Sequence, residues 1–216
     1  MPVTRTAPAA DPRALARALA TGPFAAIVVV SARGAAELAR VLADASAPAP
    51  EVWAVGPATL QALAAANVRA HHPPNVRDGA DLARALIAGG VTGRILVPRA
   101  EDGRPEVVDL LRASGAEVVE VAAYRTHAVA ADDPALAAGR AALSAGAVCG
   151  VFAPSQVTAL VALLGPLDRL ATRFCAIGET TAAALRVAGI AEPAVATAPT
   201  PEAFARAVAA LCSPAA

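Results

Sequence analysis

A small hydroxyl or glycine at the end of an apolar run occurs four times in this chain, in two matching pairs. Ser31 follows Ile27-Val28-Val29-Val30, and Ser155 closes Val151-Phe152-Ala153-Pro154-Ser155. Gly56-Pro57-Ala58-Thr59 follows the run ending at Val55, and Gly178-Glu179-Thr180-Thr181 follows the run ending at Ile177. Each places an apolar strand before a small polar residue and an alanine-rich helix. In a parallel sheet, ligands collect at the carboxyl ends of strands. A helix N-terminus there offers unpaired N–H groups and a positive dipole end, which suit anions. Taken singly, each Ser or Thr reads equally as a plain helix cap. Repetition of the whole set favours anion binding by Ser31, Gly56, Thr59, Ser155, Gly178, Thr180 and Thr181.

A further strand-to-helix loop is Val97-Pro98-Arg99-Ala100-Glu101-Asp102-Gly103-Arg104. Arg99 and Arg104 could fork onto an anion, or pair with Glu101 and Asp102 in a surface network of little worth. Tyr124, the single tyrosine, ends a strand. Its phenol could donate a proton to a leaving group, or simply sit as an amphipathic packing residue. His71, His72 and His127 show no metal-ligand spacing with Cys or acids. No phosphate-loop Gly-Lys-Ser/Thr, dinucleotide Gly-x-Gly-x-x-Gly or Gly-x-Ser-x-Gly elbow is present.

The elements that must position these residues also occur twice. Thr4-Arg5-Thr6 matches Tyr124-Arg125-Thr126, and Asp81–Leu86 matches within Glu202–Val208. Gly56 to Gly178, Thr59 to Thr181 and Leu82 to Phe204 share the offset 122, whereas Ser31 to Ser155 is 124. Two copies make two related lobes rather than a solenoid, and a cleft between such lobes suits a ligand. Short β-branched runs alternate with amphipathic Ala/Leu segments, the pattern of parallel α/β units. Strands are expected at Ala26–Val30, Val52–Val55, Val68–His71, Arg94–Val97, Glu117–Arg125, Ala147–Phe152, Phe174–Ile177 and Ala194–Thr197. Asp11-Pro12 and Asp133-Pro134 each place a capping acid before Pro at a helix start. Gly115 is expected to close the Glu106–Ser114 helix in a left-handed cap. Other helices are expected over Ala35–Ala43, Ala58–Ala66, Ala80–Ala88, Gln156–Leu164, Thr180–Ala188 and Pro201–Leu211. A strand-helix-strand unit, Arg94–Ala123, precedes the second copy and has no counterpart before Thr4.

The 216 residues are 56% hydrophobic and 17% charged, a globular composition with net charge zero. All 18 basic residues are Arg, which binds carboxylates in a bidentate fork that Lys cannot make. No basic tract points to nucleic acid, and no apolar run is long enough to span a bilayer. The three cysteines are unpatterned, and Cys149 and Cys175, in apolar strand-like runs, read as buried reduced thiols. These features, with no signal-peptide core, point to the cytoplasm.

On these residues the chain resembles the uroporphyrinogen-III synthase family. The resemblance runs through Ser31, the Val55–Thr59 segment, Leu96–Arg99 with Gly103-Arg104, the Gly115 turn, Val121–Thr126, Phe152–Ser155 and Ile177–Ala182. It implies an α/β fold of two similar three-layer α/β/α lobes with parallel sheets, swapped chain order and a two-stranded connector. Mapped here, residues 1–6 and 120–126 would be connector strands, 7–119 the complete lobe and 127–216 the returning lobe. The family opens with a strand bearing a Thr-Arg-Pro-like turn that this chain lacks, so 127–216 would be short of a strand and a helix. The implied reaction dehydrates and cyclises hydroxymethylbilane, inverting its last ring, with no cofactor and no metal. Tyr124 matches the family tyrosine thought to assist loss of the hydroxyl. The implied partners are the substrate and the preceding pathway enzyme. A non-catalytic tetrapyrrole-binding or sensor domain of the same fold is the alternative, and a generic small-molecule binder a third.

Overall fold

The structure, a computed structural model, describes residues 1–43 and 50–212. They form two compact units, one of Thr6–Thr126 and one of Met1–Arg5 with His127 onward. The first contains β1 (Thr4–Pro8, begun in the other unit), α1 (Ala14–Ala20), β2 (Ala26–Val29), α2 (Ala32–Ala43), β3 (Val52–Ala54) and α3 (Pro57–Ala64). It continues with α4 (Gly79–Ala88), β4 (Arg94–Ala100), α5 (Glu106–Ala113) and β5 (Glu117–Ala128). The sheet order is β1-β5-β4-β2-β3, with parallel pairing of β3, β2, β4 and β5.

β2 lies inside the sheet, and every residue of it is buried. Its alternation therefore sorts two apolar sets rather than an inside and an outside. Ile27 and Val29 join Leu15, Leu38 and Leu63, so α1, α2 and α3 cover one face. Ala26 and Val28 join Leu82, Leu86, Val107 and Leu111, so α4 and α5 cover the other. The result is a three-layer unit whose strand ends carry Ser31, Gly56 and Arg99.

The second unit contains α6 (Ala137–Ser144), β6 (Cys149–Val151), α7 (Pro154–Leu164), β7 (Phe174–Ala176), α8 (Glu179–Val187), β8 (Ala194–Val195) and α9 (Pro201–Cys212). Its parallel sheet has three strands, in the order β6-β7-β8. Val151, Phe174 and Ala176 pack with Val157 and Leu160 of α7 and Ala182 and Leu185 of α8. Phe204 of α9 lies against Gly150, where any Cβ would fall 2.6 Å from its ring. A parallel, mixed α/β fold is what the strand and helix alternation implied.

Several local expectations change. Val68–His71 is not a strand: only a Trp53–His71 bridge forms, where the His71 carbonyl accepts the Ala54 N–H at 2.9 Å. β4 runs on through Pro98 to Ala100, three residues past its expected end. Its ladder with β2 stops at Leu96, so the missing proline N–H leaves no gap on that side. α1 begins only at Ala14, but Asp11 accepts the Arg13 N–H two residues on at 3.1 Å, the bond a capping acid makes, and also pairs with Arg17. Asp133 does cap, accepting the Ala135 N–H at 2.9 Å, and opens a 3-10 turn, Pro134–Leu136, that runs directly into α6. Gly115 adopts φ +90° and returns the chain after α5, with the Ala116 N–H bonded to the Leu111 carbonyl.

Candidate functional site

Ser31 stands between β2 and α2, at the carboxyl end of the strand. Its Oγ accepts the Gly34 N–H at 3.0 Å, so the capping reading is realised. The same Oγ also receives the Tyr124 hydroxyl at 3.1 Å, from a residue 93 positions away. Tyr124 is only 9% exposed. Its approach depends on an irregularity in the β4–β5 ladder. Arg99 pairs with Ala122, but Ala100 pairs with Tyr124, leaving Ala123 as the extra residue. Such a bulge re-aims the side chain that follows it. The Tyr124 carbonyl then accepts the Glu101 N–H at 2.8 Å, which holds the strand end.

Gly56 precedes α3 with φ +81°, a left-handed conformation that favours glycine. Thr59, in the first turn of α3, is 4% exposed, and its hydroxyl makes no hydrogen bond among the described residues. In the second unit the matching Thr181 of α8 is 3% exposed and equally unbonded through its side chain. Thr180 beside it is exposed. Gly178 precedes that helix with extended backbone, φ −175°, which any residue adopts. Its likeness to Gly56 in sequence is therefore not a likeness in conformation. Glu179 is held by Arg186 at 2.5 Å. Ser155 is exposed inside the first turn of α7 and, unlike Ser31, caps nothing. The structure thus brings Ser31 and Tyr124 into contact within one unit and sets the remaining hydroxyls at the starts of α3, α7 and α8.

Arg99 is a correction. Its guanidinium is not free for an anion: it pairs with Glu120 of β5 and donates to the Gly103 carbonyl. Glu101 and Asp102, the partners proposed from the loop, take no part in these bonds. Arg99 and Glu120 lie on the same face of paired strands, two residues off direct register, a diagonal that long side chains span. Glu120 carried no sequence signal for this, because the pairing appears only once the register is known. Arg104 is exposed and without an ion pair among the described residues, so it remains a free cation before α5. Gly34 was also missed. It lies buried beneath β4, where a Cβ would stand 3.2 Å from the Pro98 carbonyl and 3.0 Å from Ser31 Oγ.

No group of three or more His, Cys, Asp or Glu among the described residues could hold a metal, and no described helix is long and apolar enough to cross a membrane. Burial raises the thiols of Cys149 and Cys175 above their usual range. The Arg77 backbone N–H and side chain hold Asp81 below its usual range, against a smaller opposing effect of burial. Concavities of about 540 Å³ beside Leu42, Val52 and Val68, and about 300 Å³ beside Val3, Leu143 and Phe152, contain none of the expected site residues.

These features define a parallel α/β protein that presents hydroxyls, helix N-termini and one phenol at its strand ends. The family described as uroporphyrinogen-III synthase HemD matches residues 1–206, and the chain belongs to that family. Among solved structures it is similar to the Helicobacter pylori uroporphyrinogen-III synthetase, at 16% identity and TM-score 0.67, over 98% of this chain and 92% of that one. It is also similar to a triple mutant of the Thermus thermophilus uroporphyrinogen III synthase, at 21% identity and TM-score 0.64, over 97% and 86%. Wild-type crystals of the Thermus protein match at 21% identity and TM-score 0.52, over 97% and 87%. A comparison with curated proteins finds no match.

Proposed function

We propose that this chain closes hydroxymethylbilane to uroporphyrinogen III, acting as a cyclising hydro-lyase of tetrapyrrole biosynthesis with Tyr124 as the proton donor. The observation that carries the residue assignment is the Tyr124–Ser31 hydrogen bond, which sets the one phenol of the chain at the carboxyl end of β2. Loss of the substrate hydroxyl leaves a delocalised cation, and a pyrrole is itself the nucleophile. The enzyme therefore needs no strong base. It must fold a flexible, multiply charged chain so that the substituted carbon of the last ring attacks. The helix starts at Thr59, Ser155 and Thr180-Thr181 are suited to fixing carboxylates through backbone N–H groups and hydroxyls, and Arg104 adds a guanidinium. Arg99 is left out of this set because Glu120 occupies it. The reading places the reaction in the cytoplasm, where the preceding pathway enzyme would hand over a labile substrate.

The test is isomer analysis. Spontaneous closure gives the type I product, so formation of the type III isomer from hydroxymethylbilane by the purified chain supports the proposal. A product mixture identical to the enzyme-free control would refute it. The non-catalytic alternative predicts binding of a tetrapyrrole with only type I product.

A further inference from the structure

A serine hydroxyl has one hydrogen to give and two lone pairs with which to accept. In Ser31 both lone pairs are in use. The Gly34 N–H donates to Oγ at 3.0 Å, and the Tyr124 hydroxyl donates at 3.1 Å. An oxygen so occupied has no acceptor capacity left and can offer only its own hydrogen. The Ala35 N–H also bonds the Ser31 carbonyl at 2.9 Å, so backbone and side chain are fixed together at the start of α2. That end of the helix is electropositive, which favours Ser31 as a donor. The phenol is fixed equally firmly from its own side. It is buried, and the ladder irregularity beside Ala100 aims it.

Two hydroxyls in contact can hydrogen-bond in either sense. Tyr124 can donate to Ser31, or Ser31 can donate to Tyr124, without either oxygen moving. We infer that Ser31 is a positioning residue for Tyr124: it aims the phenol, then turns its own hydrogen onto that oxygen when the phenol gives its proton away. This rests on the proposed cyclisation. The carbon–oxygen bond of the substrate hydroxymethyl group breaks with its electron pair on oxygen. Tyr124 supplies the proton and water leaves. The phenolate left behind takes the Ser31 hydrogen bond. It recovers a proton from the last ring as that ring loses one to regain aromaticity, so atoms and charge balance. A grip on a substrate carboxylate is not required of Ser31.

The experiment combines kinetics with a spectroscopic reading of the phenol. Tyr124 is the only tyrosine, so protein labelled with [13Cζ]tyrosine gives one carbon signal. Ser31→Ala should move that signal, and Ser31→Thr, which keeps the hydroxyl, should return it. In turnover of hydroxymethylbilane, Ser31→Ala should lower kcat about tenfold, the scale of one hydrogen bond to a developing charge, with KM kept. Ser31→Thr should recover most of that loss. In the Tyr124→Phe background, Ser31→Ala should have no further effect on kcat. A rise in KM of similar size in both backgrounds, with kcat kept, would overturn the inference and make Ser31 a carboxylate ligand. A carbon signal unmoved by Ser31→Ala would overturn it too. If the unaltered protein yields only the type I isomer, the cyclisation reading fails and this role falls with it. That outcome is told apart by the unaltered protein alone, before any variant is compared.

Discussion

Removing Arg99 should cost the first unit stability and leave substrate binding intact. Its side chain is 14% exposed, and that of Glu120 is 28% exposed. Exposed pairs contribute about 0.2–1 kcal/mol, whereas breaking a fully buried pair costs about 3–5 kcal/mol by stranding a charge. Glu120 keeps a second cation, Arg112, at 3.5 Å, so the stranding is partial. A loss of about 1.5 kcal/mol for the pair is therefore expected. The Gly103 carbonyl loses its donor as well, worth about 1 kcal/mol. Arg99→Ala should thus destabilise by roughly 2–3 kcal/mol. With a urea dependence of about 2 kcal/mol per molar, the midpoint falls by about 1 M. Trp53 is the only tryptophan and lies in the same unit, so its fluorescence reports this transition without the second unit. Arg104→Ala should do the opposite, raising KM without moving the midpoint. A midpoint unchanged in Arg99→Ala, together with a KM raised as far as in Arg104→Ala, would refute the assignment and return Arg99 to the substrate site.

Replacing Gly56 by Ala forces a left-handed φ on a side chain and should cost about 1 kcal/mol or more, while Gly178→Ala, on extended backbone, should cost clearly less; equal losses in urea unfolding would contradict the backbone argument. Asp81 is held below the usual carboxylate range by the Arg77 N–H and guanidinium, with burial opposing, so its contribution is present above that range and lost as pH falls through its folded value. Asp81→Asn should therefore narrow the gap to the unaltered protein on acidification, measured as melting temperature against pH, and a constant gap down to full protonation would count against it. Brief iodoacetamide treatment at neutral pH should label exposed Cys212 and spare buried Cys175, whose thiol burial raises; peptide mapping that finds Cys175 labelled first would show that the second unit opens readily.

Much of the architecture could be read without coordinates because it depends on short-range physics. The apolar run at Ala26–Val29, the left-handed turn at Gly115 and the capping acid at Asp133 each express a preference within a few residues. The strand ends were legible for the same reason: apolar strand, small residue, helix is a local pattern. The Val68–His71 run shows the limit, since β-branched and polar residues before a loop allow a strand but do not decide one. Its neighbour β3 is only three residues long and leaves room for a single bridge. At Asp11-Pro12 the local pattern supplies the bond to the Arg13 N–H, and the added pair with Arg17, six residues on, lies beyond it.

What the chain determined alone is therefore the alternation of elements and the kinds of group that follow its strands. The tertiary structure alone decided which of those groups meet. Ser31 and Tyr124 are 93 residues apart, and only the β4–β2 pairing together with one extra residue at Ala123 brings their oxygens to 3.1 Å. Arg99 looked like an anion ligand because its loop neighbours are charged. The strand register instead gives it to Glu120, 21 residues on. A local pattern records which conformations a segment can adopt, whereas partners distant in sequence are chosen by sheet register. Register follows from the burial of all the strands at once, and no single segment encodes it.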